Sequence, residues 1–182
     1  MKSGWSAACK AVAGIDRFTD KTGQLLSWLN LFLVSAVCIT VILRYWLNTG
    51  SIALQESAMY LHALIFLGAS GYTLQQKEHV RVDIFYRRMS SRKKALVDSL
   101  GTLLLLIPVC VFIGLMSWDY VAQSWTIRET STDPGGLPIV YILKSLILVL
   151  AFTLLLQGVA EGLRSLMILA GKNEQMRESE HG

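Results

Sequence analysis

The stretch LLSWLNLFLVSAVCITVIL, Leu25 to Leu43, carries no charged side chain over 19 residues. At about 1.5 Å per helical residue it covers roughly 30 Å, the thickness of a bilayer's hydrocarbon core. Arg44, Tyr45 and Trp46 follow at once, and a cation beside aromatic rings suits the membrane–water interface. Working outward, spans of this kind are expected at about 24–46, 52–76, 96–118 and 138–168. The chain therefore reads as one all-α integral membrane domain of four transmembrane helices.

The cations set its orientation. Lys2, Lys10, Arg17 and Lys21 precede the first span, and Arg44 is alone in the first gap. Lys77, Arg81, Arg87, Arg88, Arg92, Lys93 and Lys94 crowd the second gap, Arg128 is alone in the third, and Arg164, Lys172 and Arg177 close the chain. Rich and poor segments alternate, which by the positive-inside rule puts both termini in the cytoplasm. Arg44, Tyr45, Trp46, Arg87 and Arg88 then serve as interface anchors. Lys144, one to two turns inside the outer end of the fourth span, is expected to snorkel to the headgroups.

Composition excludes other classes. Only 16% of residues are charged, against about a quarter in soluble domains, and mean hydropathy is +0.46. The pI near 9.1 belongs to span ends, so no nucleic-acid partner is implied; membrane lipids are. Cys9, Cys38 and Cys110 are odd in number and far apart, which supports neither a disulfide frame nor a zinc site. They read as small packing residues.

Within this frame the second span is the least oily. Gln55, His62, Ala69 and Gln76 recur every seventh residue, with Glu56, Ala63 and Ser70 beside them and the small run Gly68-Ala69-Ser70-Gly71 at its end. Lipid tails tolerate such a face poorly, so it is expected to meet protein. Pro108 should kink the third span. Residues 1–22 read equally as an amphipathic interfacial helix or a frayed tail, and 171–182 as a flexible tail. The outer loop holds Trp125, Arg128, Glu129 and the turn-forming Asp133-Pro134-Gly135-Gly136.

No GxSxG, HExxH or P-loop is present, so an enzyme is not expected. Glu56 and His62 are the ionisable candidates within the middle spans. One reading makes His62 a haem ligand in the membrane anchor of a respiratory oxidoreductase. Another makes Glu56 the proton site of a small self-contained exporter. No cofactor is expected on the favoured reading, in which a polar-faced helix docks on a larger partner.

Several pieces, in order, resemble one family. They are Arg44-Tyr45 closing the first span, Glu56 early in the second, Phe66-Leu67-Gly68-Ala69 within it, and His79-Val80-Arg81-Val82-Asp83 at its cytoplasmic end. This is similar to the small membrane subunit, the DctQ-type component, of tripartite ATP-independent periplasmic (TRAP) transporters. The segment from Glu129-Thr130-Ser131 to Gly135-Gly136-Leu137-Pro138, with Lys144 and Leu156-Gln157-Gly158, resembles a branch loosely labelled for mannitol, chloroaromatic or keto-acid uptake.

The resemblance implies a small permease subunit in a bacterial cytoplasmic (inner) membrane. It would pair with and brace a large multi-span permease subunit for sodium symport of an organic acid. A periplasmic substrate-binding protein would deliver the substrate transiently, and sodium would bind in the large subunit. Gln55, Glu56, His62, Gly68, Ala69, His79, Arg81 and Asp83 are the expected partner interface. Trp125, Arg128 and Glu129 are the expected binding-protein contacts.

Overall fold

The computed structural model describes residues 2–76 and 89–171, with the side chains of 2–6 and 91 excepted. The predicted run His79–Asp83, the anchors Arg87 and Arg88, and the tail from Lys172 lie outside the described residues. What is described is helical: α1 (Lys2–Tyr45), α2 (Ile52–Gly68), α3 (Ser70–Gln75), α4 (Ser91–Gly101), a π-helical turn (Thr102–Leu106), α5 (Ile107–Thr126) and α6 (Val140–Leu169). Four of the resulting segments are long and apolar enough to cross a membrane: Ala7–Tyr45, Ile52–Gln75, Arg92–Thr126 and Val140–Leu169. Tyr45, Ile52, Thr126 and Val140 mark the loop end of the molecule. The opposite, terminal end carries the beginning of α1 and the end of α6.

α1 is one helix of 44 residues with no boundary near residue 22, so the described residues up to 22 are helical, as in the first of the two readings, and not frayed. At about 1.5 Å per residue it runs about 66 Å, twice a bilayer core. Its continuity follows from a stripe of inward residues, Cys9, Val12, Asp16, Thr19, Gly23 and Leu26, spaced alternately three and four apart. That spacing keeps one face against neighbouring helices turn after turn. The helix ends at Tyr45, and the chain turns away at Asn48, which takes a left-handed φ of 51°, a conformation asparagine tolerates better than most residues.

The second span runs from Ile52 to Gln75, with a one-residue irregularity at Ala69 between α2 and α3. The Ser70 hydroxyl bonds the Leu67 carbonyl at 2.8 Å and lies 3.1 Å from Thr153 Oγ1 on α6. Gly71 brings the two backbones together, since a Cβ there would lie 2.9 Å from the Thr153 carbonyl oxygen. In the third span the π-turn immediately precedes Pro108. The Ile107 N–H reaches back to the Thr102 carbonyl in an i to i+5 bond. Proline cannot donate and crowds the preceding turn, and a π-bulge is one way a helix accommodates such a disruption.

α6 is the hub and packs against every other described helix, while α1 also pairs with α2 and α3. The arrangement is open, and the core is correspondingly small. Cys9, Val12, Ala160 and Met167 form its buried apolar cluster. Glycines allow the closest approaches: Gly68 meets Leu26, Gly23 meets the Tyr72 ring, and Gly158 meets Leu106. Helices associate this way in lipid, where burying apolar surface drives nothing and close packing must. Large side chains such as Trp28, Phe32 and Leu115 stay exposed, as lipid-facing residues can.

Candidate functional site

At the loop end, α5 stops in a Schellman turn. The Glu129 N–H bonds the Ser124 carbonyl at 3.0 Å and the Arg128 N–H bonds the Trp125 carbonyl at 3.2 Å. Arg128 occupies the left-handed position, φ 45°, where glycine is usual. The turn directs Glu129 back onto the helices. Its carboxylate accepts from Lys144 Nζ at 2.5 Å and from the Ser124 hydroxyl at 2.7 Å. The Lys144 bond, then the Ser124 bond, hold the Glu129 carboxyl below the usual glutamate range, against a smaller opposing effect of burial. Lys144 Nζ also stands 4.1 Å from the Tyr120 ring centroid. Lys144, expected to snorkel to the headgroups, directs its ammonium to the Glu129 carboxylate of this loop. A carboxylate within reach gives a charge-assisted bond without stretching the stem to the headgroups.

Glu56 fastens the same loop from the other side. It lies just past the start of α2, where the Ser51 hydroxyl caps the Leu54 N–H. Its Oε2 accepts the Leu137 N–H at 2.6 Å and its Oε1 accepts the Ser131 hydroxyl. Gly136 lies under this clasp, where a Cβ would come within 2.8 Å of Glu56 Oε1. The Ser131 N–H to Leu137 carbonyl bond, 3.1 Å, and the Val140 N–H to Glu129 carbonyl bond, 3.2 Å, close the loop's backbone. Beside it, Trp125 Nε1 donates to Ser145 Oγ at 2.8 Å, and its ring meets Tyr141 edge-on at 4.7 Å. Of the three expected binding-protein contacts, Trp125 and Arg128 are exposed and Glu129 is turned inward.

At the terminal end lies a network that sequence reasoning missed. Arg164 donates to Asp16 Oδ2 at 2.7 Å and to Glu161. Gln157 Nε2 donates to Asp16 Oδ1 at 3.2 Å while its Oε1 accepts from Thr19 Oγ1 at 3.0 Å. Gln75 Nε2 reaches the Asp16 carbonyl at 3.3 Å. One acid on α1 thus ties that helix to α6 and α3. A sequence signal existed: Gln157, Glu161 and Arg164 fall at i, i+4 and i+7 in an otherwise apolar span.

The predicted partner residues divide by location. Gly68 is buried against Leu26 and Glu56 is bonded to the loop, so both contribute to packing within the chain. Ala69 is half-buried at the irregularity. Gln55 and His62 are exposed, as are Met59 and Phe66, one per turn along the same face of α2. The His62 and Phe66 rings stack at 6.2 Å. The anchors Tyr45 and Trp46 are exposed at the end of α1. Among the described residues no group of three or more His, Cys, Asp or Glu side chains could hold a metal ion.

Helices of spanning length, fastened at both ends by their own polar groups and packed in the middle through glycines, define a multi-span membrane protein. Residues 33–167 match the family described as tripartite ATP-independent periplasmic transporters, DctQ component, and the chain belongs to that family. It is a component of a transport system and not an enzyme. No curated protein and no solved structure matches it.

Proposed function

We propose that this chain is the subunit that pairs with and braces the large permease subunit of a TRAP transporter. In this role it serves sodium-driven uptake of an organic acid delivered by a periplasmic binding protein. The observation that carries the reading is the exposure of Gln55 and His62 on one face of α2, beside the apolar Met59 and Phe66. Amide and imidazole groups in hydrocarbon cost free energy unless another helix bonds them. That face of α2 is accordingly the docking face for a helix of the large subunit. Both termini are cytoplasmic on this reading, supported by the cation-rich second gap, and the membrane is the bacterial inner membrane.

A haem-anchor role for His62 has little support, because the ring stacks on Phe66 and no second histidine falls among the described residues. A proton-carrying role for Glu56 is disfavoured by its clasp on Ser131 and Leu137. The test is to extract the tagged chain gently from its native membrane and weigh what accompanies it. A stoichiometric multi-span protein, lost when Gln55 and His62 are both changed to leucine, is the expected result. Purification as a lone homo-oligomer would overturn the proposal.

A further inference from the structure

The seam between the third span and α6 is not closed along its length. In its terminal half a cleft of about 160 Å³ opens, lined among others by Ser99, Thr102, Leu103, Ile107, Gly162 and Leu166. Its lining is apolar apart from two hydroxyl-bearing residues, and one of these, Thr102, is buried. Gly162 helps to create the space, since a Cβ there would meet only Thr102 Cγ2, at an ordinary 3.6 Å. Leu103, on the rim, is 61% exposed. Nothing here resembles the polar face of α2, so a helix bearing hydrogen-bonding groups is a poor occupant.

The charge lies at one end. Arg92 is seven residues before Ser99 on the same helix, hence on nearly the same face, two turns toward the terminal end. Arg92 and its neighbour Lys93 are both exposed, and neither makes an ion pair among the described residues. The separation suits a phospholipid. Ser99 to Ile107 covers about 12 Å of helix, close to the roughly 15 Å depth of one leaflet's hydrocarbon. The further 10 Å or so to Arg92 spans the ester and headgroup layer, with the long cationic side chains making up the difference.

We propose that this cleft holds one acyl chain of an anionic phospholipid from the terminal-side leaflet, with its phosphate headgroup on Arg92 and Lys93. Basic groups flanking an apolar groove between spans recognise that chemistry: the groove takes the chain and the cations choose the headgroup. The inference rests on the chain lying in a membrane and is independent of its pairing with a large subunit.

The test uses the full chain in its native membrane, with a photoreactive benzoylphenylalanine in place of Leu103 and, separately, in place of the exposed Phe32 of α1 as a reference. After irradiation, the adducts are identified by mass. At position 103 they should be phospholipids, enriched in anionic headgroups over the reference by about fivefold for each cation engaged. R92Q with K93Q should return the proportions to those at position 32, and Gly162→Leu, which fills the cleft, should do the same. Three results would overturn the proposal. They are an adduct with another protein, an adduct with a second copy of this chain, or lipid adducts at 103 that are absent or match the reference in wild type.

Discussion

Replacing Arg164 by methionine should detach the first part of α1 from α6. The guanidinium donates to Asp16 at 2.7 Å and to Glu161 through its other terminal nitrogen, and the three side chains are 20%, 22% and 8% exposed respectively. Methionine keeps the stem's bulk and its helix propensity, so the change removes charge more than packing. Among the described residues, Asp16 would retain only the neutral Gln157 amide at 3.2 Å as a side-chain donor. Removing one partner of a buried pair costs about 3–5 kcal/mol. About a fifth of the Arg164 and Asp16 side chains is exposed, so solvent screening discounts the loss to about 2–4 kcal/mol.

Unfolding in mixed micelles of increasing SDS, followed by tryptophan fluorescence, measures it. Adding Asp16→Asn should recover most of the loss, giving a double-mutant cycle with a clear coupling term. A local readout is available in Cys9, whose sulfur lies 3.6 Å from Met167 Sδ in the same interface. In a background with Cys38 and Cys110 changed to alanine, Cys9 should be protected from maleimide in the parent and label readily in the Arg164 variant. A loss below about 1 kcal/mol, the size of an ordinary surface pair, with Cys9 still protected, would refute the assignment of this network as the fastening of α1.

Further expectations concern the middle and the loop end. Gly71→Ala forces a methyl against the Thr153 backbone carbonyl, whereas Gly68→Ala meets only the movable Leu26 side chain. The first should cost about 1–3 kcal/mol by the same unfolding assay and the second clearly less; equal losses would count against the backbone contact. Glu129 titrates below the ordinary glutamate value of 4.5 in the folded chain. Its contribution is therefore complete above that pH and lost as pH falls through the lowered value. Amide exchange over residues 128–130 and 140, the part of the loop that Glu129 holds, corrected for intrinsic rates, should lose protection only below about pH 4.5, and Glu129→Gln should weaken the dependence, leaving the share of the Glu56 clasp on Ser131 and Leu137. Arg128→Gly relieves a left-handed strain of about 1–2 kcal/mol, less about half to one for glycine's chain entropy. The melting temperature should rise slightly, and a fall would mean that the guanidinium makes a stabilising contact.

The spans were legible because a bilayer imposes a constraint that can be read locally: twenty or so uncharged residues, one after another, with cations gathered at alternate ends. The length of α1 was hidden by its polarity. Lys10, Arg17 and Lys21 point outward on a helix whose inward stripe contains Asp16 and Thr19, so neither hydropathy nor a simple apolar face marks its continuation. Pro108 announced a disturbance, but whether a kink or a π-turn results depends on how Thr102 and its neighbours pack on α6, which no local pattern contains.

The intrachain partners of the ionisable groups were not legible in the sequence, for one common reason. Arg164 counted as a topological charge, Lys144 as a snorkelling one and Glu56 as part of a partner face, because each was weighed against lipid and water. In the fold each meets groups distant in sequence: Asp16 lies 148 residues from Arg164, and Leu137 lies 81 from Glu56. A charge near a membrane has a strong incentive to find a partner, and a chain that crosses four times brings many candidates to each surface. Gln55 and His62 differ in staying exposed, with no side-chain hydrogen bond among the described residues. Exposure that persists after the chain has folded is what turns a polar residue in a span from a packing group into a candidate contact with another protein.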